Sequence, residues 1–350
     1  MKKIFLLILI IIPITVKAGT SYTVMDMDTN RVLLNQNQEE KKLIASTTKI
    51  MTALVTLNNV RDINKSITVK DEVLKSYGSG IYIEIGEHIK IKDLLYGLML
   101  RSGNDAAIEL AYNVSGSMEG FVLNMNELAN SIGMKNTTFI NSHGLENESG
   151  EGNISTSYDM ALLSSYAMKN KTYKAIVKTS KHTVKTDKKT YIWHNKNRLL
   201  NEYKYCTGGK TGFTKKARRT LVTTASKDNM NITVVTLNDP NDFANHQKYY
   251  EEIFKDYKKY QILNTKKTIM NNKKYYIKNN FYMTLTKDEY LKIKTDIIMY
   301  ENSVNKKVGE YIVKLDGKTY HKEPIYLKNN QQKKKLKWYQ KLFKKENRNG

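Results

Sequence analysis

The sequence predicts a mixed α/β (α+β) main domain followed by a small all-β domain, and three observations carry this reading. Apolar residues recur at helical spacing in several segments between 46 and 167. Two strand-like runs joined by a polar turn follow at 221–237. Beyond residue 262 the composition shifts to Lys, Asn and Tyr in short alternating runs. Periods of 3.6 and 2 are the signatures of a helix and a strand with one buried face.

Lys2 and Lys3 precede an almost wholly apolar stretch from Ile4 to Val16, and Val16-Lys17-Ala18 places small residues at a cleavage point. This reads as a secretory signal peptide over 1–18, too short for the roughly 20 apolar residues of a spanning helix, with an uncleaved anchor as the alternative. Tyr22 to Leu34 reads as two β segments around the turn-forming Asp28-Thr29-Asn30. Apolar positions 50, 51, 53, 54 and 57 predict a buried helix that begins near Ser46. A second helix over 92–100 breaks at Arg101-Ser102-Gly103-Asn104, and a third runs from about Asp105 to Val114. Met118 to Ile132 is amphipathic and closed by Gly133; Ser155 to Ala167 begins with a hydroxyl cluster and Asp159. Leu221–Ala225 and Ile232–Leu237 are strands around Lys227–Asn229, and Phe243 to Tyr257 returns to helix. In the last region, Asp316-Gly317 between Tyr311–Leu315 and Lys318–Tyr320 predicts a β-hairpin. The reading is thus 1–18 signal peptide, 19–260 main domain, 262–328 all-β domain and 329–350 basic tail.

The 350 residues are 40% hydrophobic, enough for a real core. A formal net charge of +24 favours anionic partners. The secretory start turns that preference away from nucleic acid and toward a membrane surface or an anionic polymer. Cys206 is the single cysteine, so the fold is expected to rest on its core without an internal disulfide. Six histidines without metal-ligand spacing predict no metal, and no cofactor motif appears.

Three short elements carry chemistry. Ser46-Thr47-Thr48-Lys49 is an S-x-x-K, and on a helix that starts at Ser46 the lysine returns to the serine's face. A desolvated lysine prefers its neutral form and can take the serine proton, while free N–H groups at a helix start can hold an oxyanion. Ser102-Gly103-Asn104 is an S-x-N at a helix break, whose hydroxyl could relay a proton and whose amide could hold a substrate carbonyl or orient Lys49. Lys210-Thr211-Gly212, followed by Phe213-Thr214, combines a cation and hydroxyls with a glycine that lets a substrate backbone lie close to a strand. Taken singly, these are a helix cap, a turn and a Gly-rich turn. In this order and placement they match the S-x-x-K, S-x-N and K-T-G set of serine acyl-transfer enzymes.

The chain resembles the low-molecular-mass penicillin-binding proteins, the serine D-alanyl-D-alanine carboxypeptidases. The resemblance covers about residues 21–260, through Ala45–Leu54, Leu98–Ala107, Gly133–Leu145 and Gly209–Thr214. It implies a β-lactamase/DD-peptidase-like fold: a five-stranded, mainly antiparallel sheet with helices on its faces, a helical cluster, and the active site between them. It further implies Ser46 as acylated nucleophile, Lys49 as base, Ser102 and Asn104 shuttling protons and positioning substrate, and Lys210 and Thr211 holding a terminal carboxylate. The N–H groups of Ser46 and Phe213 would form the oxyanion hole. Peptidoglycan stem peptides would be the substrate and β-lactams covalent inhibitors. The protein would be secreted and peripheral to the outer face of the cytoplasmic membrane.

Two departures stand out. Some relatives carry a carboxylate-binding arginine in the stretch corresponding to Phe243–Gln247, which has none here, leaving Lys210, Thr211 and Thr214. Phe213 occupies a position that is histidine in some relatives. A β-lactamase and a non-catalytic cell-wall binding protein are the competing readings. The lack of an E-x-x-L-N pattern weighs against the first and the intact Ser46/Lys49 pair against the second. In the tail, Leu336, Tyr339 and Phe343 with five flanking lysines read either as a basic amphipathic helix for an anionic membrane surface or as a disordered solubilising tail, and the resemblance, with the family's C-terminal surface anchor, favours the first.

Overall fold

The computed structural model describes residues 19–266, 275–304 and 307–327. The signal-peptide and tail readings lie outside the described residues. Contacts divide the chain into two compact units, Met1–Lys255 and Asp256–Gly350.

The first unit opens with a hairpin, β1 (Ser21–Asp26) and β2 (Arg31–Gln36), turned by Asn30 in the left-handed conformation. A short β3 (Lys42–Leu43) leads to a 3-10 turn, Ala45–Thr48, which runs into α1 (Lys49–Asn59). Every residue from Lys49 to Thr56 is buried, so α1 is the central rod of the helical cluster. The β4–β5 pair (Ser66–Thr68, His88–Lys90) precedes α2 (Ile91–Tyr96), whose continuation over Gly97–Arg101 widens into a π turn. Then come α3 (Asn104–Ser115) and α4 (Met118–Ser131). Ser117 caps α4 by accepting from Gly120 N, and Phe121, Met125 and Ala129, four apart, form its buried stripe. β6 (Ile154–Ser155) pairs with β3, and Thr156 caps α5 (Ser157–Ala167) by accepting from Asp159 N. α6 (Lys171–Lys178), the hairpin β7–β8 (Lys181–Lys185, Thr190–His194) and α7 (Leu199–Glu202) complete the cluster side.

The chain then returns to the sheet as β9 (Cys206–Thr214), β10 (Arg218–Lys227) and β11 (Met230–Leu237), followed by α8 (Asp242–Asp256). The sheet is antiparallel throughout, in the order β2-β1-β11-β10-β9, so β9 is an edge. Alternation sorts its side chains. Thr233 donates to Ser164 of α5 on one face, while Thr223 and Thr236 meet His246 of α8 on the other. Burial holds the His246 imidazole neutral, down to about 3.

The second unit is sheet-rich. It holds the pair β12 (Lys258–Leu263) and β14 (Phe281–Leu285), and a four-stranded sheet ordered β13-β17-β16-β15 (Tyr275–Ile277, Lys318–Leu327, Lys307–Leu315, Lys294–Val304). Asp316 and Gly317, both at positive φ, make the β16–β17 turn where the Asp-Gly pair places it. Besides its strands the unit contains a short helix, α9 (Lys287–Leu291). Thr286 and Glu289 close a capping box there, a T-x-x-E start signal that outweighs the surrounding strand pattern.

On α4, Phe121→Ala is expected to cost about 3–5 kcal/mol, whereas Leu123→Ala, on the exposed face, should stay within roughly 0.5 kcal/mol. Urea midpoints of the two variants test this division of the helix.

Candidate active site

Ser46 sits in the 3-10 turn that opens α1, partly accessible between buried neighbours. Ala45 before it adopts φ +47, a left-handed conformation that costs a non-glycine residue energy and that packing must maintain. Part of that packing is Gly144, at φ +89: a Cβ there would lie 1.9 Å from Ala45 O and 2.8 Å from Thr48 Oγ1. The Asn141–Leu145 segment therefore lies directly against the turn.

Lys49, one helical step on, is 0% exposed. Its Nζ lies 3.1 Å from Ser46 Oγ, 2.7 Å from Asn104 Oδ1 and 2.6 Å from His143 O. The last two are carbonyl oxygens and can only accept. A neutral amine has two N–H groups and one lone pair, so two donated bonds to carbonyls leave the lone pair for the serine hydroxyl. Desolvation lowers the Lys49 pKa to about 7, with the charge of Lys196 adding to the effect and Asp105 opposing it. The His143 ring is held neutral, at about 3, first by burial and then by Lys49. Its Nδ1 accepts from Leu145 N, which puts its proton on Nε2.

The second element is the bend after the π turn. Ser102 takes φ +65, which stops the helix and turns its hydroxyl toward the sheet. Lys210 Nζ donates to Ser102 Oγ at 3.0 Å and to Thr211 O at 2.6 Å. Lys210 is 2% exposed, and burial, then the nearby Lys49 and Lys196 charges, push its pKa well down. Asn104 is buried, accepting from Lys49 and donating to Tyr77 O, so its amide orients the lysine. Asp105 next to it accepts from the backbone N–H groups of Ile81, Tyr82 and Ala106 and so fastens the 79–82 segment to the start of α3.

The third element is the free edge of β9. Asp239 N donates to Arg219 O and Thr233 Oγ1 to Thr223 O, so the backbone groups of 219, 221 and 223 face β11. Their cross-strand partners in the register, Phe213 and Thr211, therefore turn their N–H and C=O groups away from β10, into the cleft. Gly212 allows the close approach: a Cβ there would lie 3.0 Å from Ser46 N and 2.3 Å from Thr220 Oγ1. The cleft has a volume of about 310 Å³, and Ser46, Ser102, Thr211, Gly212 and Phe213 line it.

The three motifs thus converge, but not all their residues reach the cleft wall. Lys49, Asn104 and Lys210 act from behind it, through Ser46 and Ser102. Thr214 does not join the wall: its hydroxyl donates to Glu146 and accepts from Ala217 N, which engages the group that was to help bind a carboxylate. The Phe213 ring, 60% exposed, lines the cleft. Four contributors lie outside the motifs: the His143 carbonyl, Asp105, Lys196 and Arg219. A backbone carbonyl leaves no trace in residue identity, and only Asp105, beside the S-x-N, had a positional hint.

Comparison with known proteins matches residues 12–241 to the D-alanyl-D-alanine carboxypeptidase family. The D-alanyl-D-alanine carboxypeptidase DacF of Bacillus subtilis is 30% identical over 338 residues, covering 89% of this chain and 86% of that protein. The D-alanyl-D-alanine carboxypeptidase of Streptomyces sp. strain K15 is 34% identical over 230 residues, covering 61% and 78%. Among solved structures, penicillin-binding protein 5 of Haemophilus influenzae shares the fold at TM-score 0.74 and 23% identity, over 88% of this chain and 96% of that one. The D-alanyl-D-alanine carboxypeptidase of Mycobacterium tuberculosis superposes at TM-score 0.63 with 27% identity, over 67% and 90%.

A lysine that works as a neutral base loses activity on protonation. With the Lys49 pKa lowered to about 7, acylation of Ser46 should be on its plateau above that pH and fall about tenfold per unit below it. A stopped-flow pH profile of acylation measures this; a flat profile between pH 5 and 8 would contradict the neutral-amine arrangement. Gly144→Ala should lower stability by about 2 kcal/mol or more and slow acylation, because the turn holding Ser46 must move. Thermal melts and acylation rates check the two effects separately.

Proposed function

The chain belongs to the D-alanyl-D-alanine carboxypeptidase family of serine peptidases, and on that premise we propose that it removes the terminal D-alanine from peptidoglycan stem pentapeptides through an acyl-enzyme on Ser46. The observation that carries this reading is the Lys49 amine, 3.1 Å from Ser46 Oγ, with its protons given to two carbonyl oxygens.

Ser46 Oγ attacks the carbonyl of the D-Ala-D-Ala bond while its proton passes to Lys49 Nζ. The Ser46 and Phe213 N–H groups, at the start of the helical turn and on the free edge of β9, receive the developing oxyanion; one such donor is worth about 2.7–4 kcal/mol of barrier. As the C–N bond breaks, the leaving amine takes a proton from Ser102, whose hydroxyl is replenished from Lys210 Nζ at 3.0 Å. Lys49 then gives up its acquired proton through solvent and Lys210 regains one, so both amines return to their starting states. Water attacks the ester, its proton passes to Lys49 Nζ and on to Ser46 Oγ as the ester C–O bond breaks, and Ser46 is regenerated. The substrate backbone lies along the outward-facing groups of Thr211 and Phe213 as an added strand. A β-lactam places its strained amide in the same cleft and leaves a stable acyl-serine. Peptidoglycan lies outside the cytoplasmic membrane, in keeping with a secreted enzyme whose basic tail touches an anionic membrane surface.

Incubation of the protein with a stem pentapeptide should yield a product lighter by one alanine residue, read by mass spectrometry. Ser46→Ala should abolish both this product and covalent labelling by a fluorescent penicillin. Lys49→Ala should slow acylation by about 10²–10⁴-fold. Full labelling without alanine release would favour a binding protein, and rapid release of hydrolysed penicillin a β-lactamase.

A further inference from the structure

A substrate that ends in a carboxylate needs a cation on the wall of the cleft, and neither motif lysine stands there. The amines of Lys49 and Lys210 are buried and end on hydroxyl and carbonyl oxygens. Burial and mutual repulsion also weaken Lys210 as a cation. Two other cations line the cleft, Lys196 and Arg219. Lys196 is an exposed side chain whose Nζ rests 3.3 Å from Ser79 Oγ.

Arg219 is held quite differently. It lies opposite Phe213 in the β9–β10 register, one pair from Leu221–Thr211, so Arg219, Phe213 and Thr211 share the sheet face that α8 covers. Arg219 and Thr211 are diagonal neighbours, within reach of a long side chain. The arginine Nε and Nη2 both donate to Asp242 Oδ1, at 3.1 and 2.8 Å. Its guanidinium carbon lies 5.7 Å from the centre of the Phe243 ring, whose other cationic neighbour is Arg198 at 4.6 Å. The Asp242 side chain is 4% exposed, that of Arg219 44%. One edge of the guanidinium is thus anchored, while Nη1 and the Thr211 hydroxyl make no side-chain hydrogen bond among the described residues. An anchored, permanently charged fork with a free edge is preorganised for a carboxylate.

We propose that Arg219 recognises the terminal carboxylate of the substrate, its free edge acting with the Thr211 hydroxyl, while Asp242 and Phe243 are positioning residues that hold it. This rests on the carboxypeptidase reading above. The Phe243–Gln247 stretch carries no arginine; the residues at its head brace one that arrives from β10 instead.

The test compares two peptides, one ending in free D-alanine and one in which that carboxylate is an amide, on wild type, R219Q, R219K and K196Q. R219Q should lower kcat/KM for the free acid by roughly 10- to 100-fold and leave the amide nearly unchanged, so that discrimination between them collapses. K196Q should keep that discrimination. Equal losses on both peptides, no loss on either, or collapse in K196Q instead would overturn the assignment. If thermal melts show R219Q unfolded, R219K decides: its charge remains but its fork is gone, so the acid-to-amide ratio should fall severalfold, and an unchanged ratio refutes the proposal. A wild type that releases neither D-alanine from the free acid nor D-alaninamide from the amide would sink the carboxypeptidase reading, and this assignment with it. An active wild type with an unaltered R219Q sinks the carboxylate assignment alone.

Discussion

Everything in the site depends on one buried amine surrounded by oxygens that carry no formal charge. Lys49 Nζ meets a hydroxyl, a side-chain carbonyl and a backbone carbonyl, and it is closed off from water. A carboxylate in any of those places would favour the ammonium and take away the lone pair that faces Ser46. Here burial makes the charge costly while the carbonyls still satisfy both N–H groups of the neutral form. The cost of burying a lysine is accepted by the fold, and the lowered proton affinity that results is what suits it to the proposed role of base.

The neighbouring structure can be understood as support for that amine. Asn104 comes from the start of α3, after a bend in which Ser102 is left-handed. The His143 carbonyl comes from a segment pressed against the Ala45 turn at Gly144, where no side chain fits. Asp105 ties the 79–82 segment to α3 through the backbone N–H groups of Ile81 and Tyr82. Ala45, directly before Ser46, and Ser102 itself are left-handed non-glycine residues, conformations that the surrounding packing must hold in place. On the far side, β9 contributes mostly main chain. As an edge strand it turns the backbone N–H groups of Thr211 and Phe213 away from β10, and its glycines keep side chains out of the way.

The helices around the site were legible because several signals agreed. Ser117 and Thr156 cap where hydroxyl residues precede apolar periodicity, and α4 buries the stripe its sequence presents. The β10–β11 pair and the Asp316-Gly317 hairpin were readable for the same reason. β9 was harder: Cys-Thr-Gly-Gly-Lys-Thr-Gly-Phe-Thr has little intrinsic strand preference and reads locally as a turn. It is extended because β10 provides a hydrogen-bonding partner along its length. The β7–β8 hairpin and α6 were not legible, although Tyr191 and Trp193 alternate on the buried face of β8 and Tyr173, Ile176 and Val177 form the buried face of α6: each element is only five to eight residues long, too short for its period to stand out from the polar residues around it.

By itself the sequence determined which residue types could react and in what order along the chain they occur. A serine three positions before a lysine at a helix start, a hydroxyl and amide at a helix break, and a cation beside glycine are local features, and local spacing is enough to specify them. Only the tertiary structure decided which groups face one another. The carbonyl of His143 belongs to no motif, Arg219 reaches the cleft through a cross-strand register, and Thr214 turns to Glu146. The His143 and Thr214 contacts join residues 94 and 68 positions apart, and Arg219 is braced by Asp242, 23 positions on, so the partners are chosen by the folded core and not by local spacing.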